Sequence, residues 1–181
     1  MKQNFLKLNL DIKPLIIPDD KFRTQYHSNI NVPNEVNPEL ISLLTKENLK
    51  IESAHTFFSR PNFEQGIHLD DDAPFDRVKL NFVLGGAGSK MHWYKLKNNV
   101  LMPSPKFTLA NRKYFSFEKI DVDYVESTEI TVPTIVQVGV PHNITNMSEE
   151  RLCITFLLRE LETGNIIGID EVCSRLQKYS Q

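Results

Sequence analysis

Residues Thr134–Leu158 read "TIVQVGVPHNITNMSEERLCITFLL", and the fold class turns on how this stretch is read. A β-branched apolar run leads through Gly139 and Pro141 to His142. A polar turn follows, and Arg151 opens a second apolar run. β-Branched side chains pack well on a pleated sheet, so each run reads as a strand. Similar runs recur from about Lys50 onward: "IESAHTFF", "RVKLNFVL", "KMHWYKL", "KYFSFEKI" and "RLCITFLLRE". Many short strands divided by turn residues predict an all-β sandwich or barrel rather than βαβ units.

Working outward, "NPELISLLTKEN" predicts a short helix with Asn37 as N-cap and Pro38 at its first position, with Leu40, Leu43 and Leu44 as its apolar face. Phe5, Leu6, Leu8, Leu10 and Ile12 predict an early strand. The tail "GIDEVCSRLQKYS" predicts a closing helix capped by Asp170, with Val172, Leu176 and Tyr179 on one side. The expected organisation is a single domain over 1–181: an amino-terminal α/β addition over about 1–50, a β core over about 51–159, and a closing helix over about 160–181.

At 181 residues the chain is long enough to bury a substantial core. Its net charge of −2 supplies no general attraction to nucleic acid or anionic membrane. The amino terminus is broken by Lys7, Asn9, Asp11 and Lys13, and no apolar stretch approaches the ~18 residues that span a bilayer. Cys153 and Cys173 form no CxxC motif and read as small buried hydrophobes. Together these features favour a cytoplasmic setting. "VLGGAGSKMHW" matches neither GxGxxG nor a Walker loop and reads as a hairpin turn whose small residues permit close backbone approach. No G-x-S-x-G elbow is present.

The chemistry concentrates in "GIHLDDDAP", residues 66–74. On a strand, residues i and i+2 share a face. His68 and Asp70 therefore stand side by side, while Leu69 and Asp71 point away. Asp72 has the right parity but sits at the strand's end, as the fallback ligand. His142 offers a third donor. Two histidines and a carboxylate make the facial triad of non-haem iron(II) oxygenases, with coordination positions left open. A dicarboxylate chelating such an ion leaves a second carboxylate, which a guanidinium binds bidentately, and Arg151 is placed for that role. The nine residues from His142 to Arg151 suit adjacent antiparallel strands.

His68, Asp70, His142 and Arg151, in this order and spacing, resemble the iron(II)/2-oxoglutarate-dependent oxygenase superfamily, and the similarity covers roughly 51–159. The resemblance implies a mainly β, double-stranded β-helix (jelly roll or cupin-like) core with flanking helices. It also implies Fe(II), 2-oxoglutarate as co-substrate and O2, with succinate and CO2 released as a substrate is hydroxylated or demethylated. Many members carry a serine two residues after the arginine; here that residue is Cys153, a weak hydrogen-bond donor, and Thr155 on the same strand face is the substitute. Asn81, opposite in parity to Leu80 and Phe82, is a candidate for a further co-substrate contact, with a purely structural role as the alternative. His92 and Tyr94 share a face and are candidates for the substrate side. A small molecule or a protein side chain is the expected substrate. Two other readings stay open: a cupin-like enzyme using zinc or manganese without 2-oxoglutarate, and a catalytically silent β-helix module.

Overall fold

Strand β12 (Arg151–Glu160) shows how the sequence becomes the fold. Its first eight residues are all buried, yet their chemistry alternates. Leu152, Ile154, Phe156 and Leu158 enter the main hydrophobic core, whereas Arg151, Cys153, Thr155 and Leu157 line an internal cavity. A strand covered on both faces reads as continuous burial; here one cover is an apolar core and the other a polar-walled space.

The computed structural model describes residues 3–70, 77–107, 113–145 and 148–180. Twelve strands, numbered along the chain, form two six-stranded antiparallel sheets among these residues. The larger sheet runs β1 (Phe5–Lys7), β10 (Thr134–Gln137), β5 (Val78–Gly85), β12, β3 (Leu49–Ser59), β2 (His27–Ile30). The smaller runs β7 (Lys106–Phe107), β8 (Lys113–Ser116), β4 (His68–Asp70), β11 (His142–Thr145), β6 (Lys90–Leu96), β9 (Val122–Glu129). From β3 to β6, and again from β9 to β12, the chain crosses between sheets at every strand. That winding is a double-stranded β-helix, as the sequence led us to expect.

The crossings correct one expectation. β11 and β12 are not adjacent: β11 pairs with β4 and β6, whereas β12 pairs with β3 and β5 in the other sheet. Both edges of β11 are occupied, so the chain leaves the sheet after Thr145 and spans the ~10 Å between packed sheets. Arg151 consequently faces the histidines across the interior rather than lying beside them.

The outer face of the large sheet is closed by α1 (Val32–Glu35), α2 (Pro38–Lys46) and α3 (Ile169–Leu176) together with the amino-terminal segment. In α2 the Asn37 side chain accepts a hydrogen bond from the Glu39 amide at 2.9 Å, with Pro38 next in the chain, as predicted. Leu40 and Leu44 are buried. α3 begins earlier than expected: Gly168 is its N-cap, and Asp170 lies inside the first turn, where it complements the helix dipole. Val172 and Leu176 are buried as predicted, but Tyr179 sits in a separate 3₁₀ turn and donates its hydroxyl to Glu47. The early strand is short, Phe5–Lys7, followed by a single bridge from Leu8 to Ser180. The first fifty residues supply both edge strands of the large sheet, β1 and β2.

Phe156 anchors this core, with no exposed surface and its ring edge-on to Phe82 at 5.9 Å. Phe156→Ala should cost about 3–5 kcal/mol, read as a lower urea midpoint with an unchanged m-value.

Candidate metal centre

β4 is three residues long, and its parity places His68 and Asp70 on the inner face. Leu69 points outward into a small apolar cluster with Ile67 and Phe115. β11 lies alongside, with His142 directly opposite His68 and their ring centroids 4.4 Å apart. One ligand-grade atom from each of His68, Asp70 and His142 lies within 4.8 Å of the others. Asp71 and Asp72 lie outside the described residues.

The two imidazoles are oriented in the same way. His68 Nδ1–H donates to the Gly66 carbonyl at 2.9 Å, and His142 Nδ1–H donates to the Val140 carbonyl at 2.8 Å. A neutral ring held through Nδ1 carries its lone pair on Nε2, the tautomer a metal requires. His68 Nε2 stands 3.2 Å from Asp70 Oδ1. Adjacent ligands of an ion with bonds of about 2.1 Å sit about 3 Å apart, so this spacing fits two corners of one coordination shell.

Asp70 Oδ2 is taken by the Lys79 ammonium at 2.5 Å. The carboxylate is thereby split: one oxygen is held by the ammonium and the other faces the imidazoles, an arrangement suited to monodentate ligation. Burial alone would raise the Asp70 pKa, but the Lys79 charge outweighs it and holds the group well below the usual carboxylate range. Burial pushes His142 down to about 3, against partial compensation by Asp70. Both donors are therefore deprotonated at neutral pH.

These shifts carry a stability consequence. Between pH ~6.5 and ~3 the unfolded chain binds a proton at His142 that the folded protein refuses. The associated stability is complete above pH ~6.5 and is lost as the pH falls toward 3. Metal-stripped protein should show urea stability lower by on the order of 2 kcal/mol at pH 4.5 than at pH 7. A flat profile over that range would contradict the burial of a neutral His142.

A cavity of about 880 Å³ opens from the triad between the sheets. Across it lies Arg151, only 4% exposed, with its Nε buried and without a hydrogen-bond partner. Gly86 packs on the arginine's stem. Its φ is +71°, and a Cβ there would come within 2.8 Å of Arg151 Cβ and Cγ, which accounts for a small residue in the β5–β6 turn. Asn81 and Thr155 also line the cavity, directly paired across β5 and β12, and the Thr155 hydroxyl donates to Asn81 Oδ1 at 2.6 Å. Cys153 lies between Arg151 and Thr155 on the same wall.

His92 and Tyr94 are not among the cavity's lining residues. On β6 it is Met91 and Trp93 that turn inward, into an apolar cluster between the sheets. His92 bonds Thr145 Oγ1 at 3.1 Å, and the Tyr94 hydroxyl donates to Asn143 Oδ1 at 3.1 Å on the outer face. Sequence reasoning passed over Lys79 and Tyr26. Lys79 was visible in "RVKLNFV" as a charge sharing the strand face of Asn81. Tyr26 stands at the cavity rim; burial and the negative charge of Asp70 raise its hydroxyl pKa, while Arg151 opposes them.

No family model matches the chain, and no curated protein does. Solved structures that match include E. coli ycfD, at 16% identity and TM-score 0.39 over 68% of this chain. They also include an oxalate oxidase in complex with the substrate analogue glycolate, at 12% identity and TM-score 0.31, covering 92% of this chain and 78% of that one. An oxalate decarboxylase matches at 10% identity and TM-score 0.30, over 83% of this chain and 32% of its own. The present chain spans 28% of the length of the E. coli protein.

Proposed function

We propose that this protein is a metal-dependent enzyme of the double-stranded β-helix class. His68 Nε2, Asp70 Oδ1 and His142 Nε2 would hold one divalent ion, and substrate would be transformed in the adjoining cavity. The observation that carries the reading is the convergence of three donors, two of them imidazoles fixed through Nδ1. When bound, the ion supplies Lewis acidity and open coordination sites. The chain orients the donors and keeps Asp70 and His142 deprotonated.

A finer reading, iron(II)- and 2-oxoglutarate-dependent oxygenation, is favoured by Arg151. A buried guanidinium with an unpartnered Nε, facing a metal site, suits the distal carboxylate of a chelating dicarboxylate. Asn81 and Thr155 would flank that co-substrate. The cavity's size suits a small molecule or a single side chain as substrate.

Anaerobic addition of iron(II) and then 2-oxoglutarate tests both levels. The finer reading predicts a weak visible charge-transfer band that is absent in His68→Ala and Asp70→Ala. Iron binding without the band would leave a cupin-like metalloenzyme that does not use 2-oxoglutarate. Folded protein that binds no divalent metal would overturn the proposal and leave a silent module.

A further inference from the structure

On the large sheet, away from the triad, three polar residues form a connected chain that the metal reading does not use. Ser53 and His55 are i and i+2 on β3 and share its cavity face, and both line the cavity. Asn29 on β2 lies directly opposite His55 in the strand register. His55 Nδ1 is 2.9 Å from Asn29 Oδ1, and His55 Nε2 is 3.1 Å from Ser53 Oγ.

The direction of these bonds follows from chemistry. An amide oxygen only accepts, so Nδ1 carries the hydrogen and donates to Asn29. Nε2 of the neutral ring then bears the lone pair and accepts from the Ser53 hydroxyl. The His27 ring lies over His55, with centroids 5.2 Å apart and planes 29° from parallel, which restrains the imidazole's plane. Nucleophile, base and orienting group are thus in hydrogen-bond order, the arrangement that activates a serine hydroxyl.

We propose that Ser53, His55 and Asn29 form a second, metal-independent catalytic site that transfers acyl groups from small esters to Ser53 and on to water. Ser53 Oγ attacks the ester carbonyl as its proton passes to His55 Nε2. The bond to the alcohol oxygen breaks, and the leaving group takes that proton from His55. Water then attacks the acyl-serine, again giving its proton to His55, which returns it to Ser53 Oγ as the acid departs. No oxidant, reductant or metal enters the balance.

The test is hydrolysis of p-nitrophenyl acetate by the full chain, with and without EDTA, with the acetylated residue located by peptide mapping. The proposal predicts equal nitrophenolate release in both conditions and acetyl on Ser53. It predicts at least about a tenfold loss in Ser53→Ala and in His55→Gln. Acetylation only at other residues, His55→Gln reacting at the unsubstituted rate, or a requirement for metal would each overturn it. Mapping on the unsubstituted protein decides the matter even where a variant fails to fold. Because EDTA leaves this reaction intact, its failure is separable from failure of the metal reading.

Discussion

Replacing His142 with alanine should weaken divalent-metal binding by at least about 100-fold while leaving the protein folded. Loss of a partner that merely orients a ligand typically costs 10–100-fold in affinity, and His142 would be a ligand itself. It is buried, its Nδ1–H is tied to the Val140 carbonyl, and burial pushes its pKa to about 3. Neutral pH therefore leaves no proton for an ion to displace there. Calorimetric titration of the variant and the unsubstituted chain with manganese(II), both checked by circular dichroism, measures the difference. Unchanged affinity in a folded variant would remove His142 from the site.

Arg151→Met should separate function from stability. Arg151 is 4% exposed with its Nε unpartnered, so the folded chain holds a buried charge whose desolvation is incompletely offset. Methionine of similar length should leave the melting temperature unchanged or raise it. Binding of 2-oxoglutarate to the metal-loaded protein should nevertheless weaken by roughly 10–100-fold, the equivalent of about 1.5–3 kcal/mol for hydrogen bonds to a charged group. Arg151→Lys should recover only part of this, because an ammonium lacks the planar fork that meets a carboxylate bidentately. If Arg151→Met binds the co-substrate normally and unfolds early, the arginine is structural and the finer oxygenase reading falls.

Much of the site was legible because strand parity is a strict rule. It paired His68 with Asp70, turned Leu69 outward and put Asn81 on the polar side of β5. Parity does not say which of two faces is the inner one, and that is where His92 and Tyr94 were misjudged. Met91 and Trp93 turn inward into an apolar cluster instead, and Trp93 donates its indole N–H to the Gln137 carbonyl at 2.8 Å. Sheet membership was also illegible. Nine residues suit either a hairpin or a crossing, and the choice depends on which neighbours have already taken the edges of β11. The Lys79–Asp70 ion pair and the Asn29–His55 bond join separate strands, so no local pattern announced them.

The most direct test of the central claim is a crystal soaked in manganese(II) and measured for anomalous scattering. The account predicts one peak per chain, about 2.0–2.2 Å from His68 Nε2, Asp70 Oδ1 and His142 Nε2. The Asp70 carboxylate should be monodentate and its other oxygen still on Lys79. A peak elsewhere, or none in a crystal whose cavity is open to solvent, would contradict it.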